Sequence, residues 1–269
     1  MSSSPETSVF ETLSLERVDD HVTIVRLNRP SASNALNTQM GRDLMRHFED
    51  VALDPGGLRC MILTGSGDKA FCAGGDLKER RGMTDEAWTR QHVIFERMVR
   101  AIIDCPVPVI GAVNGAAYGG GCEIAACCDF LYAADQARFA LTEVTLGIMP
   151  GGGGTQTLPR ALGERRAKEL ILTGKPFTAA EACAWGLVNE VFPSSELLPA
   201  ALSTASRIAR NAPISVRQAK LAIHRGLQSS LRDGLALEIE AYNRMVPTED
   251  RREGVLAFNE KRPPEFKGR

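Results

Sequence analysis

Two glycine-rich segments, each just after an apolar run of strand type and just ahead of a helical one, constrain this chain more than any other feature. The first is Phe71-Cys72-Ala73-Gly74-Gly75-Asp76-Leu77-Lys78, behind the strand ending at Thr64. The second is Asn114-Gly115-Ala116-Ala117-Tyr118-Gly119-Gly120-Gly121-Cys122-Glu123, behind the strand ending at Val113. Glycines at a strand-to-helix turn allow bare backbone to approach a neighbour closely. With a helix start behind them, their free N–H groups are preorganised donors for an anion or a polarised carbonyl. Neither segment is a G-x-x-x-x-G-K-S/T loop or a G-x-G-x-x-G turn early in the chain, which removes nucleotide hydrolysis from consideration.

The surrounding periodicities predict an α/β chain. Residues 10–18 and 22–28 read as strands joined as a hairpin through Asp19-Asp20. A helix capped by Asn37 or Thr38 runs to about Leu53, with Met40, Leu44, Met45, Phe48 and Val51 on one face, and stops at Pro55-Gly56-Gly57. Strand 59–64, helix 85–103, strand 107–113, a glycine-opened helix 120–128 and strand 130–133 follow. Alternation of this kind predicts a stacked core with mainly parallel pairing. Beyond Thr155 the only strand signal is at 187–192, and helices are expected at 178–185, 195–211, 213–226, 229–246 and 249–260. The domain expectation is therefore an α/β core over 1–195 and a helical region over 196–269. In that region Leu235, Leu237, Ile239, Tyr242 and Met245 form a stripe that requires the core or another subunit to cover it.

Composition narrows the partners. The 269 residues carry 32 Lys+Arg against 33 Asp+Glu, a net charge of -1, which offers no basic field to nucleic acid or to an anionic membrane. Residues 1–20 have no apolar leader run and carry Glu6, Glu11 and Glu16 where a transit peptide would be acid-poor. The most apolar stretch, 107–117, is broken by Pro108, Gly111, Asn114 and Gly115, short of the roughly 20 residues that span a bilayer. A cytoplasmic protein is expected. The seven Cys form no Cys-x-x-Cys pair, and Cys122, Cys127 and Cys128 read as small apolar residues of a buried helix; no metal site is expected.

Two glutamates stand out. An ionised carboxylate in apolar surroundings is costly unless solvated or used. Glu123 sits among Cys122, Ile124, Ala125 and Ala126. Glu143 lies in Phe139-Ala140-Leu141-Thr142-Glu143-Val144, ahead of Gly147-Ile148-Met149-Pro150-Gly151-Gly152-Gly153-Gly154. A surface place would explain Glu143 alone, but the two together point to carboxylates that are used.

These motifs resemble the crotonase (enoyl-CoA hydratase/isomerase) family: F-C-A-G-G-D-L-K at 71–78, G-G-G-C-E at 119–123, and F-A-L-T-E…G-I-M-P-G-G-G-G-T-Q at 139–156. The resemblance extends from the strand at Val22 to Lys261-Arg262-Pro263. It implies an α/β fold of repeated ββα units with a helical C-terminal trimerisation region, often paired into hexamers, and acyl-CoA thioester substrates. It implies no cofactor, coenzyme A being part of the substrate. Carried over residue by residue, the oxyanion-hole amides fall on Gly75 and Gly120, and the catalytic carboxylates on Glu123, assigned to water, and Glu143, assigned to the α-carbon. Ala73, Asp76, Leu77 and Lys78 match positions along the coenzyme A and acyl path, and Lys261 a contact to its phosphates; for both lysines the plain alternative is a solvated charge. Position 75 is Gly where the family most often has Ala.

Retention of both glutamates favours hydration over isomerisation. Leu77-Lys78-Glu79-Arg80, 150–160 and 256–268 look similar to the methylglutaconyl-CoA hydratase branch, an alternative that leaves the acyl group open. A relative in that branch binds AU-rich RNA through a lysine-rich helix. Here the corresponding 38–54 has Arg42 and Arg46 against Asp43, Glu49, Asp50 and Asp54, so no nucleic-acid partner is expected.

Overall fold

The computed structural model describes residues 10–269. The first nine residues of the expected 1–195 core, which include part of the segment searched for a leader, lie outside the described residues. Leu13–Arg17 (β1) and Val22–Leu27 (β2) form the expected antiparallel hairpin, with Leu13 opposite Leu27 and Arg17 opposite Thr23. Asp19 fixes the turn by accepting the amides of His21 and Val22 at 2.7 and 2.8 Å. Helix α1 (Thr38–Leu53) begins where the Asn37 side chain accepts the Met40 amide, and it buries Met40, Leu44, Phe48 and Val51.

From there the chain repeats a unit that gives one strand to a large sheet, one short strand to a small sheet, and then a helix. The first unit is Cys60–Gly65 (β3), Ala70–Cys72 (β4), Leu77–Arg80 (α2) and Asp85–Ile103 (α3). The second is Val109–Val113 (β5), Ala116–Tyr118 (β6) and Gly120–Ala126 (α4). The third is Phe130–Ala134 (β7), Arg138–Ala140 (β8), a 3-10 turn at Glu143–Leu146, Gly154–Leu162 (α5) and Glu164–Thr173 (α6). Phe177–Thr178 (β9), Ala179–Trp185 (α7) and Glu190–Phe192 (β10) complete both sheets. The large sheet runs β1-β2-β3-β5-β7-β10, parallel from β2 onward, and the small one β4-β6-β8-β9, parallel except for its last pair.

Both faces of the large sheet are buried. Val22, Ile24, Cys60, Ile62, Ile110 and Ala112 pack on α8 (Ser194–Ala209), whose Leu197, Ala201, Ala205 and Ala209 recur every four residues. Their alternating partners Val25, Leu27, Met61 and Leu63 belong to the cluster that holds α1 and α3. Helix α8 thus straddles the 195/196 boundary expected from the sequence and packs on the core. Beyond it, α9 (Pro213–Gly226), α10 (Leu231–Asn243) and α11 (Glu249–Glu260) leave Leu227, Leu231, Ile239 and Phe258 in solvent, the last 84 % exposed. All seven cysteines are free. Cys122 and Cys127 are buried as expected, but α4 ends at Ala126, so Cys127 caps it and Cys128 lies beyond the helix and is only half-buried. Among the described residues no helix is long and apolar enough to cross a membrane.

The second glycine segment locks the two sheets' connections together. A Cβ on Gly121 would stand 2.1 Å from the Cys72 carbonyl oxygen, so α4 meets the end of β4 only because no side chain intervenes. Gly121→Ala is expected to cost about 1–3 kcal/mol through overpacking, seen in thermal unfolding as a fall on the order of 5 °C; an unchanged midpoint would mean that the contact is not tight.

Candidate active site

The strands β4, β6 and β8 lie side by side and parallel, and the segment leaving each contributes to one cavity of about 500 Å³. From β4 come Ala73, Gly74, Gly75 and Leu77; from β6 and α4 come Gly119, Gly120 and Glu123; from β8 come Thr142 and Glu143. The cavity is also lined by His92, Phe95, Met98 and Val99 of α3 and by Leu146 and 148–152, and the loop meets α3 where a Cβ on Gly151 would lie 3.0 Å from the His92 ring.

Two backbone donors are left open at the turns. Leu36 donates its amide to the Gly74 carbonyl at 2.8 Å and accepts the Asp76 amide at 2.9 Å, while the Gly75 N–H between them has no acceptor among the described residues. Gly120 opens α4, where the first four amides lack intrahelical acceptors, and the helix ladder begins with the Glu123 amide on the Gly119 carbonyl. A Cβ on Gly120 would lie 3.8 Å from the Gly75 nitrogen, so the two turns are in contact.

Both glutamates are buried, Glu123 4 % and Glu143 9 % exposed. The Glu123 Oε1 accepts the amides of Gly152 and Gly154, each at 2.8 Å, at the N-terminus of α5. Its other oxygen lies 4.0 Å from where a Gly120 Cβ would be. Glu143 rests one oxygen against Gly119, 3.2 Å from a Cβ placed there, and its buried Oε2 has no hydrogen-bond partner. Two carboxylates thus face adjacent residues of one turn.

The remaining sequence-derived positions divide. Ala73 and Leu77 line the cavity; Asp76, Lys78 and Lys261 do not. The Asp76 carboxylate is occupied: Oδ1 accepts the amides of Lys78 and Glu79, capping α2, and Oδ2 pairs with Arg29 at 2.9 Å. Lys78 and Lys261 are exposed, Lys261 in a left-handed turn closing α11. The cavity also contains Arg80 and His92, which sequence reasoning did not single out. For Arg80 the available signal was its place at the end of a four-residue helix opened by the glycine segment.

A family model described as enoyl-CoA hydratase/isomerase matches residues 17–269. The chain belongs to the enoyl-CoA hydratase/isomerase family. It is 43% identical over 249 residues to the short-chain-enoyl-CoA hydratase of Clostridium acetobutylicum, covering 92% of this chain and 95% of that one. It is 40% identical over 257 residues to the 2,3-dehydroadipyl-CoA hydratase of Escherichia coli, covering 92% and 96%. The crystal structure of an enoyl-CoA hydratase from Bacillus anthracis superposes with a TM-score of 0.94 at 44% identity, covering 96% of this chain and all of that one. The repeated ββα units and C-terminal helices are the fold of that family.

Electrostatics of the family site follow from burial. Desolvation raises the Glu123 carboxyl to about 7, with the charge of Glu143 adding to the rise and the Gly154 and Gly152 amides and Arg80 opposing it. Burial raises Glu143 as well, against the pull of its own backbone amide and of Arg80. The unfolded glutamate titrates near its ordinary 4.5. Between that value and 7 the folded state holds a proton that the unfolded state releases, so stability falls as pH rises through this window. Glu123→Gln keeps an oxygen for both amides and removes the charge. It is expected to stabilise the protein by about 2–3 kcal/mol more at pH 8 than at pH 5, read from urea unfolding; an equal gain at both would show that Glu123 ionises without penalty.

Proposed function

We propose that the cavity adds water across the 2,3 double bond of a trans-2-enoyl-CoA thioester to give a 3-hydroxyacyl-CoA. The observation that carries this reading is the placement of two buried carboxylates, one with a free oxygen and one with an unpartnered Oε2, beside two backbone amides that lack acceptors. The thioester oxygen accepts from the Gly75 and Gly120 N–H groups. Glu123, braced by two amides, takes a proton from water as the water oxygen bonds to C3. The alkene pair moves through C2 onto the thioester oxygen, which the fixed donors stabilise; losing one such donor typically costs about 2.7–4 kcal/mol. Glu143 then returns a proton to C2. Carboxyls raised by burial suit a pair that keeps one proton between them. Isomerisation needs one carboxylate to carry a proton between C4 and C2, and the convergence of two favours hydration.

Ala73 and Leu77 border the acyl path, and Asp76 acts through the turn that it braces. Lys78 and Lys261, both exposed and off this chain's own cavity, are assigned to coenzyme A phosphates, Lys261 to those of a neighbouring subunit. We further infer a homotrimer or a dimer of trimers, supported by the apolar faces of α10 and α11, among them Leu235, Ile239, Tyr242, Leu256 and Phe258. A reducing, cytoplasmic setting agrees with seven unpaired thiols.

The relatives differ in the acyl group of their substrates, a short-chain enoyl group in one and a 2,3-dehydroadipyl group in the other.

The test is the loss of conjugated-enoyl absorbance with crotonyl-CoA. Glu123→Gln and Glu143→Gln are each expected to keep the fold and lower turnover by roughly 10²- to 10⁴-fold. Near-full activity of the Glu143 variant would replace the paired mechanism with a one-carboxylate one. Sedimentation at micromolar concentration is expected to show a trimer or hexamer, and a clean monomer would overturn the assembly.

A further inference from the structure

Gly41 is buried inside α1, where helix propensity favours alanine, so its missing side chain calls for a packing reason. The reason lies on α3. A Cβ at 41 would stand 2.8 Å from two ring carbons of Phe95, Cδ1 and Cε1, and 3.3 Å from the γ2 methyl of Ile94. Phe95 lines the cavity, and Gly41 does not. One edge of the ring therefore rests on the bare backbone of α1 while the same residue borders the site.

The two helices are tied together beside this contact. One turn before Gly41, Thr38 accepts the Gln91 side-chain amide on its Oγ1 at 2.8 Å and donates its own amide to Glu79 Oε2 at 2.9 Å. Gln91, 2 % exposed and one turn before Phe95 on α3, also donates to Glu79 Oε2 at 2.8 Å. Toward β1, the buried Asp43 accepts the Thr12 amide and hydroxyl at 2.9 and 2.7 Å. Helix α1 is thus held to α3 on one side and to the start of β1 on another. An ordinary contact between carbons needs about 3.5 Å, so a methyl group at 41 would displace the ring edge by roughly 0.7 Å. With α1 tethered, the ring has to give, and the open space beside it is the cavity.

The direction of that displacement matters because the cavity is graded. Leu77 and Met149 are exposed, whereas Phe95, Met98 and Val99 are buried. A thioester held at Gly75 and Gly120, with coenzyme A leaving through the exposed end, sends its acyl tail toward the buried one. We infer that Gly41 is a positioning residue for acyl length: by letting the Phe95 ring draw back against α1, it leaves room at the buried end for an unbranched apolar tail longer than that of crotonyl-CoA. This rests on the hydratase reading for the chemistry at C2 and C3 and extends it to the tail beyond C4.

Two ratios read the room at the buried end. The first is kcat/KM for trans-2-hexenoyl-CoA over that for crotonyl-CoA; the second, without turnover, is the affinity for hexanoyl-CoA over that for butanoyl-CoA. Gly41→Ala is expected to lower both by about 10-fold, the effect of one methylene group in an apolar pocket, while kcat and KM for crotonyl-CoA hold. The penalty on the longer substrate should appear in KM with kcat kept, because contacts to the tail are alike in the ground and transition states. A general loosening of the fold would instead lower turnover of both substrates together. In a Phe95→Leu background, where no ring edge meets residue 41, Gly41→Ala is expected to leave both ratios unchanged. Unaltered ratios in the single variant, or an equal fall in both backgrounds, would overturn the inference. So would a Gly41→Ala chain that fails to fold, since α1 rather than the ring would then take the strain. Selection by length in the affinities, with no hydration of either enoyl-CoA, would uphold the role of Gly41 and overturn the proposed reaction.

Discussion

The two hydrogen bonds from Gly152 and Gly154 to Glu123 Oε1 are the constraint around which the rest is arranged. A buried carboxylate is tolerated where fixed donors replace water, and here the donors come from the N-terminus of α5, a helix that belongs to the next repeat. The donors must be glycine. A Cβ at 152 would stand 2.7 Å from one carboxylate oxygen and one at 154 would stand 3.0 Å from the other. The run 151–154 is thus the complement of a single side chain on α4. It also fixes the loop carrying Ile148, Met149 and Pro150 at the cavity, so the buried carboxylate and the loop that lines the cavity share one pair of bonds.

Strong periodicity made most of the scaffold legible. Helices α1, α3, α9 and α11 begin and end where caps and apolar stripes predict, because Asn37, Thr84 and Thr248 each accept an amide of the first turn and Pro213 opens its helix. The strands of the large sheet were readable from apolar runs. The small sheet was not: β4, β6, β8 and β9 have two or three residues each, too few to show alternation. Helices α5 and α6 escaped because Gly153, Pro159 and Gly163 interrupt the helical pattern. The illegible sheet is the one that gathers the cavity. Sequence motifs named the segments around Gly75, Gly120 and Glu143 without showing that three parallel three-residue strands bring them side by side.

Side-chain roles were less legible than backbone ones. Asp76 and Arg80 stand four residues apart in one motif, and only the packing separates them: the first is consumed by Arg29 and a helix start, while the second is stacked on Trp88 with its donors open. The partners that decide this, Arg29, Trp88 and Gln91, lie outside that motif. The family match and the resemblance read from 71–78, 119–123 and 139–156 agree on the family because those segments carry the backbone geometry that its fold requires.

The burial of Cys72 and Cys122 also bears on chemical self-protection. A conjugated enoyl thioester is an electrophile, and a thiolate that reached its alkene carbon would become covalently attached to it. Cys122 is the immediate neighbour of Glu123, yet it is fully buried, and burial, with the nearby glutamate charges, drives its thiol far above the usual range. Burial likewise pushes Cys72, at the end of β4, up to about 11. A thiol at that value is about one part in 10⁴ thiolate at neutral pH, and the thiolate is the nucleophile. The thiols of Cys72 and Cys122, next in sequence to the cavity-lining Ala73 and Glu123, are therefore held almost wholly in the unreactive protonated form.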